Sequence, residues 1–115
     1  MSNQQHTVLL ITGNGMGRGT PELQQKLLKT YLRLTLESET LPKVICFYTE
    51  GVRLVVDGSP VLEELRALEA RGVHLVICST CLNYYHLADR VQVGIVGGMT
   101  DIIEAQQQAD KVITL

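Results

Sequence analysis

The sequence predicts a three-layer α/β/α domain with a mostly parallel five-stranded sheet and helices on both faces. Two observations predict it. Short runs rich in β-branched residues alternate with longer runs whose apolar residues recur at helical spacing. Second, the runs between the predicted strands are long enough to be helices, and helical connections join parallel strands and cover both faces of the sheet. Because 115 residues are the length of one ordinary domain, we expect a single domain over residues 1–115, with a flexible N-terminus at residues 1–6.

The first strand and the first helix have the clearest signals. Residues 7–12 (TVLLIT) consist of β-branched residues and leucine, and a glycine-rich turn follows at residues 13–19. Thr20 is placed to cap a helix that starts at Pro21 and extends to about residue 39. One apolar stripe of this helix contains Leu23, Leu27, Tyr31 and Leu34, and Leu28, Leu32 and Leu36 widen it. A stripe this wide predicts a second packing partner.

The remaining elements alternate in the same way. Further strands are predicted at residues 43–49, 73–78, 92–96 and 111–115. Residues 51–56 form either a short helix or an irregular crossover. Ser59 is predicted to cap a helix that begins at Pro60 and ends at Gly72, and residues 79–88 form a short helix. Thr100 is predicted to cap a last helix that extends to about residue 109.

Composition excludes several classes of function. The net charge is −2 and there is no basic block, so neither a nucleic-acid-binding nor an anionic-membrane-binding surface is predicted. No apolar run approaches the ~18 to 20 residues that a bilayer span needs. The first residues lack the apolar core of a signal peptide, which predicts a cytoplasmic protein. In that compartment three cysteines are expected to be thiols.

The glycine-rich turn lies where phosphate-binding loops occur, between a strand and a helix. Its spacing matches neither nucleotide-binding pattern, because Arg18 or Thr20 stands where G-x-G-x-x-G needs its third glycine. A tight turn that uses glycine's freedom at positive φ is therefore favoured. One further interpretation stays open: backbone N–H groups and Arg18 hold an anion or a polysulfide-like group near a reactive centre.

The segment Cys78-Ser79-Thr80-Cys81 is the strongest chemical feature. It lies at the carboxyl end of the third strand, where ligands bind in open parallel sheets. Ser79 or Thr80 is expected to cap the following helix and to leave Cys81 in its first turn, where the helix dipole lowers a thiol pKa. Cys78 lies at the same mouth. Tyr84 either lines this mouth or packs under the next loop.

Other uses of these cysteines are less well supported. A zinc site needs two further ligands, and Cys46, His74 and His86 show no paired spacing, so no metal is predicted. A thioredoxin-like dithiol remains an alternative, although the usual Trp-Cys and cis-Pro context is absent. Cys46 lies inside an apolar strand and is expected in the core.

The order of segments resembles the DsrE-like sulfur-relay superfamily, and most closely the C-terminal DsrE-like domain of YedF-type selenium metabolism proteins. The resemblance is carried by GRG at 17–19, GVRL at 51–54, GSPVLE at 58–63, ICSTCLNYY at 77–85 and ADKVI at 109–113. It implies the flavodoxin-like or Rossmann-like architecture of that superfamily and assembly into homo-oligomers. It also implies a TusA-like sulfur-carrier partner, because YedF-type proteins contain a TusA-like domain whose Cys-Pro-x-Pro motif is missing here.

The resemblance also implies site residues. Members active in sulfur relay carry a persulfide on a cysteine at the end of the third strand, which is Cys78 here, and Cys81 is the second thiol of the C-x-x-C variant. The reasoning from helix position favours Cys81, so both cysteines are candidates for catalysis. The candidate substrate-binding residues are Gly17, Arg18, Ser79, Thr80 and Tyr84.

Three hypotheses for function follow. The first is a sulfur-transfer protein that passes a persulfide from this cysteine pair to a partner thiol and needs no cofactor. The second is a non-catalytic oligomeric module that binds a ligand or a partner. The third is a C-x-x-C dithiol redox protein. The first requires an accessible, reactive thiol, the third a reversible disulfide, and the second neither.

Overall fold

The structure, a computed structural model, describes residues 6–115, and these residues form five strands, four α-helices and two 3₁₀ elements. The predicted flexible N-terminus lies outside the described residues for positions 1–5, whereas the backbone N–H of His6 donates to Asp110 Oδ2 at 2.8 Å. The elements follow in the order β1 (Thr7–Ile11), α1 (Pro21–Glu37), β2 (Val44–Phe47), the 3₁₀ segment (Thr49–Val55), α2 (Leu62–Ala70), β3 (His74–Cys78), α3 (Ser79–Tyr84), a 3₁₀ turn (Ala88–Arg90), β4 (Ile95–Gly97), α4 (Met99–Gln108) and β5 (Lys111–Thr114).

The strands form one sheet in the order β4-β3-β2-β1-β5, and every pairing is parallel. This confirms the predicted α/β class. Tyr31 of α1 lies beside Leu9 of β1, and Ala105 of α4 lies beside Val44 of β2. Val44 precedes Ile45, the residue that pairs with Leu9. Because successive strand residues point to opposite faces, α1 and α4 lie on opposite faces of the sheet. The connection from β4 to β5 therefore returns across the opposite face, as right-handed crossovers require.

The core lies mainly between the central strands and the helices α1 and α2. All five residues of β1 are buried, as are Leu65 and Leu68 of α2. In α1 the sheet-facing residues are Leu28 and Leu32, both fully buried. The apolar surface of α1 is therefore wider than the sheet covers, as the sequence indicates, because Leu23, Leu27 and Leu34 are 50%, 45% and 54% exposed.

Helix starts depend on local hydrogen bonds that the sequence predicted only in part. Thr20 Oγ1 accepts from the Leu23 N–H at 3.4 Å, as predicted for α1. The prediction for Ser59 is wrong, because Ser59 Oγ accepts from the N–H of Val61 and so stabilises a turn before α2 starts. Thr100 is also not a cap. The Gly98 N–H donates to Asp101 Oδ2 at 2.8 Å instead, and α4 begins at Met99.

Several predicted boundaries shift for backbone reasons. Helix α1 ends at Glu37 because the Ser38 hydroxyl donates to the carbonyl oxygens of Thr35, in the last turn, and of Thr40, in the following loop. Helix α3 ends at Tyr84 rather than at residue 88, because His86 has a φ of 59°. Strand β4 is Ile95–Gly97 rather than 92–96, because Gly94 has a φ of 87° and interrupts the extended backbone. Of the ambiguous connection at residues 51–56, residues 51–55 belong to the 3₁₀ segment, and Val56 is extended and forms a bridge with Val91.

Within residues 6–115, no helix is both long enough and apolar enough to cross a membrane.

Candidate functional site

The two cysteines of the C-x-x-C segment meet where β3 runs directly into α3. Cys78 is the last residue of β3 and is 2% exposed, whereas Cys81 lies in the first turn of α3 and is partly exposed. Both are free thiols. The predicted capping is wrong: Cys78 itself occupies the N-cap position without a side-chain bond, and Ser79 and Thr80 are the first two residues of the helix. The predicted position of Cys81 in the first turn is confirmed.

A backbone donor from another part of the chain contacts the second thiol. The N–H of Thr49, 32 positions earlier, donates to Cys81 Sγ at 3.0 Å. Thr49 has a φ of 52°, a left-handed conformation that is rare for a β-branched residue and occurs mainly where surrounding structure imposes it. The contact therefore joins the carboxyl ends of two adjacent strands, β2 and β3, at the thiol.

The end of β1 fixes the position of Thr49. The Tyr48 N–H donates to the Ile11 carbonyl at 3.2 Å, and the Gly51 N–H donates back to the Tyr48 carbonyl at 3.0 Å. Gly51 lies so close to β1 that a Cβ atom there would be 2.1 Å from the Ile11 carbonyl oxygen. Glycine is therefore required at position 51 for the 3₁₀ segment to reach the thiol as it does.

Electrostatics at Cys81 differ from the expectation. Burial raises the pKa of the Cys81 thiol, the Thr49 N–H lowers it, and the neighbouring Cys78 raises it. The net shift is upward, so the predicted lowering of the Cys81 pKa is wrong: the loss of solvation outweighs the donors at this position. Cys46 is a core residue, as predicted, and burial raises its pKa to about 11.

Two tyrosines and an arginine adjoin the cysteine pair. The Tyr85 N–H donates to the Cys81 carbonyl at 3.1 Å, and the guanidinium of Arg53 stacks on the Tyr85 ring at 4.3 Å from its centroid. Tyr84 is 76% exposed, and its ring meets the edge of Tyr85 at a centroid distance of 5.1 Å. Tyr85 packs against the core while Tyr84 is in solvent, and the Tyr85 N–H joins this aromatic pair to the backbone of Cys81.

A polar cavity of about 240 Å³ lies beside Arg53. It is lined from several elements by Asn14, Gln25, Arg53, Val56, Asp57, Gly58, Ser59, Pro60, Leu87 and Arg90. Its far wall is fixed by a two-point ion pair, because Arg90 donates to Asp57 at 2.7 Å and 3.2 Å. Reasoning from sequence missed this cavity and both arginines, although Arg53 lies in the connection that follows the second strand, at the ligand-binding edge of the sheet.

The glycine-rich turn is folded onto α1 rather than onto the cysteines. The Met16 N–H donates to the Gln24 carbonyl at 2.9 Å, and Gln24 Nε2 donates to the Gly17 carbonyl at 2.7 Å. Gly17 and Arg18 are exposed, and within residues 6–115 no hydrogen bond or ion pair joins either of them to Cys78 or Cys81. Their role in substrate binding stays a prediction.

No group of three or more histidine, cysteine, aspartate or glutamate side chains within the described part of the chain is arranged to hold a metal ion.

A model of the DsrE/DsrF-like family matches residues 18–115, which include the 3₁₀ segment and both cysteines. The chain belongs to this family. The DsrE/DsrF-like family is in general related to sulfur relay. No curated protein matches the chain significantly.

Solved structures share the DsrE/DsrF-like fold of this chain. The ychN protein from E. coli is 19% identical with a TM-score of 0.74, covering 97% of this chain and 100% of its own. MTH1491 from Methanobacterium thermoautotrophicum is 21% identical with a TM-score of 0.70, covering 95% and 97%. BT1422 from Bacteroides thetaiotaomicron is 13% identical with a TM-score of 0.64, covering 96% and 95%. At these identities the similarity establishes the fold alone.

Proposed function

We propose that this DsrE/DsrF-like protein transfers sulfur as a persulfide on the Cys78–Cys81 pair. One observation carries the proposal: two free thiols lie together at the carboxyl end of β3, and the more accessible of them receives the Thr49 N–H at 3.0 Å. Its partial exposure gives a sulfur donor access to the Cys81 thiol, and the Thr49 N–H stabilises the thiolate and offsets part of the rise in its pKa. Cys81 is therefore the entry thiol on structural grounds, while the family resemblance favours Cys78.

The transfer is balanced without an oxidant or a cofactor. The Cys81 thiolate attacks the outer sulfur of a donor R–S–SH, forms Cys81–S–SH and releases R–S⁻. The Thr49 N–H stabilises the thiolate before attack and again when it leaves. An acceptor thiolate then attacks the outer sulfur, becomes R′–S–SH and regenerates the Cys81 thiolate.

The second thiol offers a different fate for the persulfide. If the Cys78 thiolate attacks the inner sulfur, the products are a Cys78–Cys81 disulfide and HS⁻. Cys78 is the N-cap residue of α3 and Cys81 is its third residue, and side chains three residues apart in a helical turn are neighbours. The dithiol redox alternative also requires a reversible Cys78–Cys81 disulfide, so it shares this product with the sulfur-transfer route.

The experiment is intact mass spectrometry of the reduced protein after incubation with a hydropersulfide. We expect a gain of one sulfur that a reductant removes. Cys81→Ser is expected to abolish the adduct and Cys78→Ser to preserve it and to prevent disulfide formation. Loss of the adduct only in Cys78→Ser makes Cys78 the carrier, as the family resemblance implies. No adduct in the wild type, with thiols that alkylate only after unfolding, contradicts sulfur transfer.

We further propose that the chain forms homo-oligomers through the exposed leucines of α1. Leu23, Leu27 and Leu34 are each about half exposed along one face of α1, which leaves a row of large apolar side chains in solvent. A second copy of the chain offers the same surface and closes a symmetric contact. Light scattering after gel filtration is expected to show an oligomer that Leu27→Glu dissociates, and a wild-type monomer contradicts the proposal.

The finer family position and the partner are also proposals. The YedF-type resemblance at residues 77–85 supports a TusA-like protein as acceptor of the sulfur, and free thiols support a cytoplasmic location. Mixing the sulfur-loaded chain with a TusA-like protein is expected to move the added sulfur mass to that protein. Retention of the sulfur on this chain contradicts that partner.

A further inference from the structure

We propose that the polar cavity beside Arg53 binds the carboxylate of a small thiol whose hydropersulfide is the sulfur donor. This inference rests on the proposed function and names its substrate class. The cavity, about 240 Å³, suits the carboxylate arm of a small molecule rather than a polypeptide segment. It opens at the carboxyl ends of the strands, the same edge of the sheet as the cysteine pair.

Arg53 is the residue that recognises the carboxylate. Its guanidinium carbon lies over the Tyr85 ring, 4.3 Å from the ring centroid, yet none of its N–H groups makes a hydrogen bond with another described residue. Its ion pair with Glu50 is long, at 3.6 Å, and both side chains are about half exposed. A stacked arginine with free N–H groups is prepared to bind a carboxylate at two points.

The other arginine of the cavity has a different role. Both ends of the Arg90 guanidinium are taken by Asp57, at 2.7 Å and 3.2 Å, so this pair forms a neutral wall. Asn14 and Gln25 also line the cavity, and neither side chain makes a hydrogen bond within residues 6–115. Together with Arg53 they offer amide and guanidinium donors from three separate elements, which suits a ligand rich in acceptor oxygens.

The backbone spacing between Thr49 and Arg53 suits a small thiol. Arg53 lies four residues after Thr49 in the same 3₁₀ segment, and four residues of a 3₁₀ helix rise by roughly 8 Å. Thr49 marks the sulfur end of this span because its N–H contacts Cys81 Sγ. A peptide-like thiol reaches across this span, with its sulfur at Cys81 and a carboxylate at Arg53.

The test compares glutathione hydropersulfide with its diethyl ester, whose two carboxylates are replaced by uncharged esters, by the rate at which sulfur is added to the protein. Arg53→Gln is expected to slow loading by the acid about tenfold, which is the loss expected for one charge-assisted contact, and to leave loading by the ester unchanged. Arg66→Gln is the matched control, because Arg66 is exposed on α2, away from the cavity, and its loss changes the net charge equally.

A second arm measures binding without chemistry. S-methylglutathione, which cannot donate sulfur, is titrated calorimetrically into wild type, Arg53→Gln and Gln25→Ala, whose substitution removes a cavity donor from α1. Weaker binding by both variants supports the site. Equal binding, or equal loading of Arg53→Gln and Arg66→Gln, overturns it. If neither donor adds sulfur to the wild type, the proposed function fails, while the titration still decides whether the cavity binds a carboxylate.

Discussion

Gly51→Ala is expected to damage both the stability and the thiol environment of this protein. The new Cβ atom would lie 2.1 Å from the Ile11 carbonyl oxygen and 2.8 Å from its carbon, where ordinary contact begins at 3.4 Å. Both partners are backbone atoms of a buried strand, so neither side chain rotation nor local collapse removes the clash. Overpacking of this kind costs about 3 kcal/mol. The 3₁₀ segment must therefore move away from β1 by about 1 Å or more.

That movement separates the Thr49 N–H from Cys81 Sγ, because Thr49 is two residues from the substitution. With a typical m-value of about 1.5 kcal/mol/M, the urea midpoint is expected to fall by about 2 M. The alkylation rate of Cys81 at fixed pH is expected to fall as well, because the donor that lowers its pKa is lost.

Gly58→Ala is the matched control for this experiment. Gly58 has a φ of 88° but nothing lies within 4 Å of its Cβ position, so the substitution introduces backbone strain of about 1–2 kcal/mol without a clash. Its Cys81 alkylation rate is expected to equal that of the wild type. The reasoning is refuted if Gly51→Ala unfolds within 1 M urea of the wild type and alkylates Cys81 at the same rate.

Three further predictions concern titration and reactivity. Alkylation of Cys81 is expected to accelerate with pH through a midpoint above that of an ordinary thiol, and Cys78→Ser to lower that midpoint, since Cys78 raises the Cys81 pKa; a wild-type midpoint below that of an ordinary thiol contradicts this. Arg90 holds the pKa of Asp57 below its usual range, so the ion pair stabilises the folded protein at neutral pH. Asp57→Asn is therefore expected to lower the melting temperature at neutral pH, and this difference from the wild type is expected to disappear as the pH falls below about 4. Cys46 is expected to alkylate only after unfolding, and Cys46→Ala to retain sulfur loading; loss of loading would place Cys46 in the mechanism.

Sequence alone predicted the architecture because strands and helices here have strong local signals. The run at residues 7–12 and the Thr20-Pro21 start of α1 depend on the identity of adjacent residues, which a sequence displays directly. The left-handed backbone of His86 has no such signal, since the residue is not glycine, and the predicted end of α3 was therefore wrong. The cap of α4 was wrong because two polar residues, Thr100 and Asp101, compete for one start.

The position of the cysteine pair was predicted from the sequence, but its surroundings were not. The short separation of Cys78 and Cys81 in the sequence predicted that both lie at the carboxyl end of β3, and the structure confirms this. The sign of the Cys81 pKa shift was wrong because it depends on burial and on Thr49, which is 32 positions away. Arg53 was missed for the same reason, since only the folded chain stacks it on Tyr85. Contacts between distant residues, rather than local spacing, decide the chemistry here.

The pairing of β1 with β5 sets the order of events in biosynthesis. Thr7 pairs with Lys111, so the contact closes a loop of about a hundred residues and forms only after every intervening element has been made. Until then a strand that is entirely buried in the folded protein presents an unpaired edge to the nascent chain and to its neighbours. A ribosome-bound chain that stops before residue 111 is therefore a candidate client for chaperones, although its cysteine pair has already been synthesised.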